Sequence, residues 1–220
     1  MSPQNLPPPN TALLLVDPYN DFLHPDGKLY PRVAESLVAT DTVSHLKEVV
    51  KAARDARLPI FYALHQTWKE ENYRGWLHMN SSTSAIKQMK AFQEGSWGAE
   101  VHEGLEPDRR RVEGEGDVVV SRHWNSSGFA NTDLDFQLRQ REITHLVIAG
   151  MVANTCIEST ARYARELGYH TTLLTDATAG FSTAAKDAAT NLIWPLIADE
   201  VKTVNEWTAA LEEAHGPRDL

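Results

Sequence analysis

The 220-residue chain has a single cysteine, Cys156, so no internal disulfide can form, and it has no C-x-x-C zinc pattern. Whatever that sulfur does, it does alone or with partners of another residue type. No apolar run approaches the roughly 20 residues that cross a bilayer, and the opening MSPQNLPPPN has neither a basic nor an apolar signal region. The reading expects a soluble, cytoplasmic protein with no membrane partner. Basic residues are in deficit: 21 Lys and Arg stand against 30 Asp and Glu, and the net charge of −9 repels polyphosphate. Nucleic acid is therefore not an expected partner. With only 12 glycines and 11 prolines there is no collagenous or low-complexity body, and 42% apolar with 23% charged residues is a globular composition. No G-x-G-x-x-G follows the first apolar run, which sets dinucleotide redox chemistry aside.

What is present has a regular rhythm. Residues 1–10, containing Pro7, Pro8 and Pro9, read as a disordered or loosely docked arm, and residues 11–220 as one domain. Short, β-branched apolar runs occupy 11–16, 60–64, 118–120, 146–149, 171–174 and 201–204, the pattern of strands buried on both faces. Helical periods lie between them. Leu46, Val49, Val50 and Ala53 share one face, as do Ile157, Ala161, Ala164 and Leu167 ahead of the stop at Gly168. Thr132, followed by Asp133 and Asp135, reads as an N-cap with acids on the helix dipole. This alternation predicts an α/β fold with a mostly parallel sheet and helices on both sides. Residues 66–116 break the rhythm, with one helix expected from Ala85 to Phe92 and a loop at Glu94 to Gly98; such insertions carry lids or oligomer contacts.

In such sheets ligands bind beyond the carboxyl ends of the strands. Three places qualify: Asp17 after the first run, Ser121, Arg122 and His123 after the third, and Cys156 at the start of a helix. In a helix's first turn a thiolate is stabilised by free N–H groups and the dipole, and the same turn offers donors to an oxyanion.

Four blocks sharpen this reading. They are Leu13 to Asp17 with Asn20-Asp21-Phe22, then Ser127-Gly128-Phe129 with Thr132-Asp133-Leu134, then Gly150 to Glu158, and finally Asp176 to Ala179. In this order they resemble the isochorismatase-like cysteine hydrolase family over about residues 11–204. The resemblance implies a Rossmann-like three-layer α/β/α sandwich with a six-stranded parallel sheet. It implies hydrolysis of C–N bonds in a small amide, ureide, lactam or related acyl compound, with Asp17 as general base and Cys156 as nucleophile. It also implies a cis peptide at Met151–Val152 and an oxyanion hole made by the Val152 and Cys156 N–H groups. No cofactor or metal is implied, and a homo-oligomer, dimer or tetramer, is.

The chain departs from the family at its third catalytic position, a lysine that is absent here. Ser121, Arg122 and His123 are the alternatives; arginine supplies charge but cannot shuttle a proton, whereas histidine can do both. Arg122 is the preferred reading. Pro18-Tyr19 replaces the usual Met-Gln beside the pocket. His65 and His78 form no ligand motif. Trp97, His123, Trp124 and Phe129 are the candidate substrate-binding residues, with Trp76 a further aromatic nearby. The expected mechanism is a thioester route in which burial or the thiolate raises the Asp17 pKa. The alternatives are hydrolysis of an isochorismate-type vinyl ether by Asp17, and a non-catalytic relative that binds a small molecule.

Overall fold

The computed structural model describes residues 10–108 and 116–215. The arm expected over residues 1–10 lies outside the described residues up to Pro9. Six strands, β1 (Thr11–Val16), β2 (Ile60–Ala63), β3 (Val118–Val119), β4 (His145–Met151), β5 (His170–Ala179) and β6 (Glu200–Lys202), form one sheet in the order β3-β2-β1-β4-β5-β6. Every neighbouring pair is parallel. The connecting helices are α1 (Asn20–Leu23), α2 (Tyr30–Ala39), α3 (Thr42–Asp55), α4 (Ser81–Met89), α5 (Leu134–Arg139), α6 (Glu158–Glu166), α7 (Thr183–Ala188), α8 (Trp194–Ile197) and α9 (Val204–His215).

The central strand shows why a continuous apolar run is needed. Leu13 and Leu15 enter one core with Leu46, Val49 and Val50 of α3 and Trp207 of α9. Ala12, Leu14 and Val16 point the other way, into a core with Leu134 of α5, Ala161 of α6 and Trp194 of α8. Each fully buried leucine of β1 stabilises the fold by about 2 kcal/mol. This is the three-layer arrangement that the strand and helix rhythm predicts.

Two local differences matter for the site. The helix expected from Ala85 starts earlier, at Ser81, because the Asn80 side chain accepts from the Thr83 N–H and caps it; Lys90, with φ 49°, ends it before Phe92. The cap of α5 is Asp133 rather than Thr132, and the Asp133 carboxylate also accepts from the Ser121 N–H at 2.6 Å, tying α5 to the end of β3.

The chain leaves β1 toward β2 on one side and returns as β4 on the other, so the strand order reverses between β1 and β4. There Val16 is registered with Gly150, whose φ is 120°, and a Cβ on Gly150 would overlap the Val16 carbonyl oxygen. Only glycine lets these strand ends approach so closely. Gly150→Ala is expected to cost about 3 kcal/mol. Gly168→Ala, where φ is 91° but no atom lies near, should cost only the positive-φ penalty of about 1 kcal/mol. Urea unfolding of the two variants checks this, and equal costs would contradict the close-approach argument.

Candidate active site

Asp17 follows β1 in a left-handed backbone conformation, φ 50°, unusual for a residue other than glycine, and is buried. Its Oδ1 accepts from the His65 backbone N–H at 2.6 Å and faces His123 Nε2 at 3.1 Å. Asp17 Oδ2 is buried with no hydrogen-bond partner of ordinary geometry, and the neighbouring group that couples to the carboxylate is the Cys156 thiol.

Cys156 lies in a wide turn over Ala153–Ile157 that leads into α6. The Thr155 and Ile157 N–H groups both donate to the Val152 carbonyl, at 3.1 and 3.2 Å, which coils the turn over the end of β4. The Met151–Val152 peptide is cis, at the bond the family resemblance named. The Val152 N–H interacts with the Cys156 sulfur, and Thr155 Oγ1 approaches the same atom at 4.0 Å. Cys156 as a residue is partly exposed, because one side of it lines a cleft, yet its sulfur sits deep enough for burial to dominate its titration.

The charges follow from this packing. Burial, and then the adjoining Asp17 carboxylate, push the Cys156 thiol well above its ordinary value. Burial alone would also raise Asp17, but the charge and hydrogen bond of His123 outweigh it and the net shift is downward. This corrects the expectation of a raised Asp17: the acid is ionised at rest because a cation stands beside it. His123 is fully buried; burial opposes its charge, Asp17 more than restores it, and its pKa is raised. Its Nδ1 lies 2.6 Å from the Asn125 carbonyl oxygen, which can only accept, so with an ionised Asp17 both ring nitrogens carry protons. His65 is the opposite case, pushed down to about 4 by burial first and then by His123.

The third-position preference for Arg122 is also corrected. The arginine lines a separate polar hollow with Gln66, Lys69, Glu94 and Glu100 and does not line the cleft of Cys156. Strand alternation explains this: His123 pairs with His65 at the sheet edge and faces Asp17, so its neighbour faces away. Ser121 is spent on Asp133.

None of the four residues expected to bind substrate lines the cleft. Trp97 sets its ring edge-on to His24 at 4.7 Å. Trp124 meets Tyr73 edge-on at 6.2 Å and Trp76 at a tilt at 5.4 Å, Phe129 stacks on Tyr163 beneath the opposite face of the sheet, and His123 lies behind Asp17. The cleft, of about 230 Å³, is instead walled by Phe22, Leu29, Arg32, Ile86, Phe92 and Phe181, with Asn80 to Thr83, Asn125 and Ser126 at its polar side. Asp21 fixes much of that wall: its carboxylate accepts from the Lys28 N–H at 3.0 Å and the Phe92 N–H at 2.6 Å, and Gly98 leaves room for it. Tyr19 closes the back, donating to the His65 carbonyl at 2.7 Å with its ring 4.6 Å from Phe92. Phe22 stood inside a quoted motif, but no spacing announces the others. Among the described residues no group of three or more His, Cys, Asp or Glu side chains converges on a metal position, and no helix is long and apolar enough to cross a membrane.

A doubly wound parallel sheet carrying a thiol and a carboxylate at the reversal of its strand order defines the class. The isochorismatase domain model matches residues 11–203. The chain therefore belongs to the isochorismatase family. It is 30% identical over 191 residues to a ureidoacrylate amidohydrolase RutB of Caulobacter segnis, covering 80% of this chain and 75% of that protein. A cysteine hydrolase from Pseudomonas syringae pv. phaseolicola superposes with TM-score 0.79 at 27% identity, covering 96% of both chains. An N-carbamoylsarcosine amidase from Thermoplasma acidophilum superposes with TM-score 0.63 at 27% identity, covering 89% of this chain and 97% of that one.

The buried ion pair sets a pH window for stability. His123 is raised above 6.5, so its contribution is complete below that value and fades as pH rises through the folded pKa. Asp17 is lowered below 3.8, so its contribution holds above that value and fades as pH falls through the folded pKa. His123→Gln should therefore destabilise most between these two values, by about 3 kcal/mol, with a smaller gap to wild type in alkaline solution. Urea unfolding at pH 5.5 and pH 9 measures it; a gap of the same size at both would show that the pair carries no such charge.

Proposed function

We propose that this chain hydrolyses an amide-type C–N bond of a small, non-peptide molecule through a thioester on Cys156. The supporting observation is the division of labour at Asp17. Oδ1 is anchored by two donors, Oδ2 has no other partner, and the carboxylate couples to the Cys156 thiol. The names of the amidohydrolase and amidase relatives support the bond type.

The chemistry starts from a neutral thiol and an ionised acid, since burial and Asp17 raise the first and His123 lowers the second. No standing thiolate is available. The thiol proton passes to Asp17 Oδ2 as the sulfur attacks the carbonyl carbon, and the N–H groups of Val152 and Cys156 receive the developing oxyanion. Collapse breaks the C–N bond while Asp17 returns the proton to the leaving nitrogen. Water then gives a proton to Asp17 and attacks the thioester, and the departing sulfur recovers that proton. Through the cycle the His123 imidazolium holds Asp17 in place and compensates its charge.

Cys156→Ala is expected to reduce turnover of an amide substrate to background while leaving the unfolding midpoint close to wild type. Intact-mass analysis during turnover should show an acyl adduct on the wild-type chain alone. A variant that retains activity, or an adduct that survives the substitution, would remove Cys156 as nucleophile and return the Asp17 vinyl ether alternative to the front. The pH profile of kcat/KM should fall on the alkaline side as His123 loses its proton, and His123→Lys should move that fall upward. An unmoved alkaline limb would deny His123 its electrostatic role.

A further inference from the structure

Beyond the cleft lies a second hollow, of about 290 Å³, that the proposed hydrolysis does not use. It shares no residue with the cleft, and the divide falls between His65, which lines the cleft, and Gln66, which lines the hollow. The two segments that form most of it, residues 66–72 and 94–100, are bonded into one frame. The Trp68 N–H donates to the Phe92 carbonyl at 2.9 Å, the Glu94 N–H donates to the Trp68 carbonyl at 3.0 Å, and the Asn72 side chain donates to the Thr67 carbonyl at 2.8 Å.

Four charged side chains line this hollow, Lys69, Glu94, Glu100 and Arg122. Lys69 and Glu94 pair at 2.6 Å and cancel. Arg122 and Glu100 do not: among the described residues neither has an ion-pair or side-chain hydrogen-bond partner, and they do not reach each other. Arg122 is half-buried, sent here by the strand alternation that turns His123 toward Asp17. Glu100 is fixed through its backbone, its N–H donating to the Trp97 carbonyl and its carbonyl accepting from the Asn20 N–H, both at 3.0 Å. Further donors stand on the same wall. Gln66 Oε1 takes the Thr67 N–H at 3.0 Å, which leaves the Gln66 amide N–H groups unused, and Thr67, only 5% exposed, has its hydroxyl 3.5 Å from that oxygen, at the limit of a hydrogen bond.

A guanidinium and a carboxylate that face one hollow without meeting have a definite complement. A lone anion satisfies Arg122 but confronts Glu100, and a lone cation does the reverse. A molecule that carries both charges meets both. We infer that this hollow binds a small zwitterion of the amino-acid type, its carboxylate on Arg122 with Gln66 and Thr67 as further donors, and its ammonium on Glu100. The inference stands apart from the hydrolase reading, since none of these residues takes part in the chemistry at Cys156.

The test titrates the full-length protein, observed by amide NMR, with glycine, β-alanine and 4-aminobutyrate, which step the distance between the two charges. Acetate, propionate and butyrate lack the ammonium; methylamine, ethylamine and propylamine lack the carboxylate. One of the zwitterions should bind about ten-fold more tightly than either of its singly charged counterparts, moving the amide signals of Thr67, Gly95 and Ser96 and leaving those of Thr155 and Phe181 in place. Arg122→Gln and Glu100→Gln should each lower that affinity about ten-fold with the unfolding midpoint unchanged, and Arg122→Lys should recover part of it. A series in which no zwitterion exceeds its counterparts, a preference that survives both substitutions, or signal changes confined to Thr155 and Phe181 would overturn the inference. Turnover of an amide is read separately, so zwitterion binding without turnover removes the hydrolase and keeps this site, while turnover without such binding does the reverse.

Discussion

Asp17 Oδ1 accepts from the His65 backbone N–H and faces the His123 ring, and these two bonds decide which oxygen is left for chemistry. The left-handed turn at Asp17 aims the carboxylate back across the strand ends, where β2 supplies His65 and the edge beyond it supplies His123. The sulfur arrives from the other side, on the turn after β4. Each element adjoining the site is placed by the parallel order of the sheet, and Gly150 makes the junction of β1 and β4 narrow enough for the acid and thiol to couple. The constraint is therefore geometric before it is electrostatic.

The electrostatics then select the mechanism. A thiol raised far above its ordinary value beside an acid lowered below its own does not ionise at rest. In the proposed hydrolysis such a sulfur attacks only when a carbonyl is positioned to accept it and N–H donors stabilise the product. Histidine in the third position changes the behaviour expected of a lysine there. Both supply positive charge, but an imidazolium loses it at a much lower pH, and here it is kept by a buried carboxylate on one nitrogen and a carbonyl on the other.

The sheet was readable because strands buried on both faces leave continuous apolar runs, and Thr11 to Val16 is such a run with breakers at each end. Asp17 and Cys156 both stand just past central strands, where ligands sit, and the family blocks single them out. The choice between Arg122 and His123 was not readable. It depends on whether the strand's alternation continues past β3 and which side chain then faces β1; at the sheet edge His123 pairs with His65 and turns its ring to Asp17. The aromatic substrate candidates failed on a different ground. Trp124 and Phe129 are large apolar groups that the fold uses to hold loops and helices down, and nothing local separates that use from stacking on a ligand. The cleft walls Ile86, Phe92 and Phe181 are distant in sequence from Phe22 and Leu29, so no window of the chain displays them as one site.

The account stands on a charged His123 locked against an ionised Asp17. Ring nitrogen chemical shifts of the ¹⁵N-histidine-labelled protein at pH 7 test this most directly. The account predicts two protonated nitrogens for His123, a pyrrole-type signal from each, that collapse to a neutral-ring pattern when Asp17 is replaced by asparagine. A neutral ring with one bare nitrogen in the wild-type protein would mean that the proton resides on the acid, leaving Asp17 with nothing to accept from the thiol and the proposed chemistry without its base.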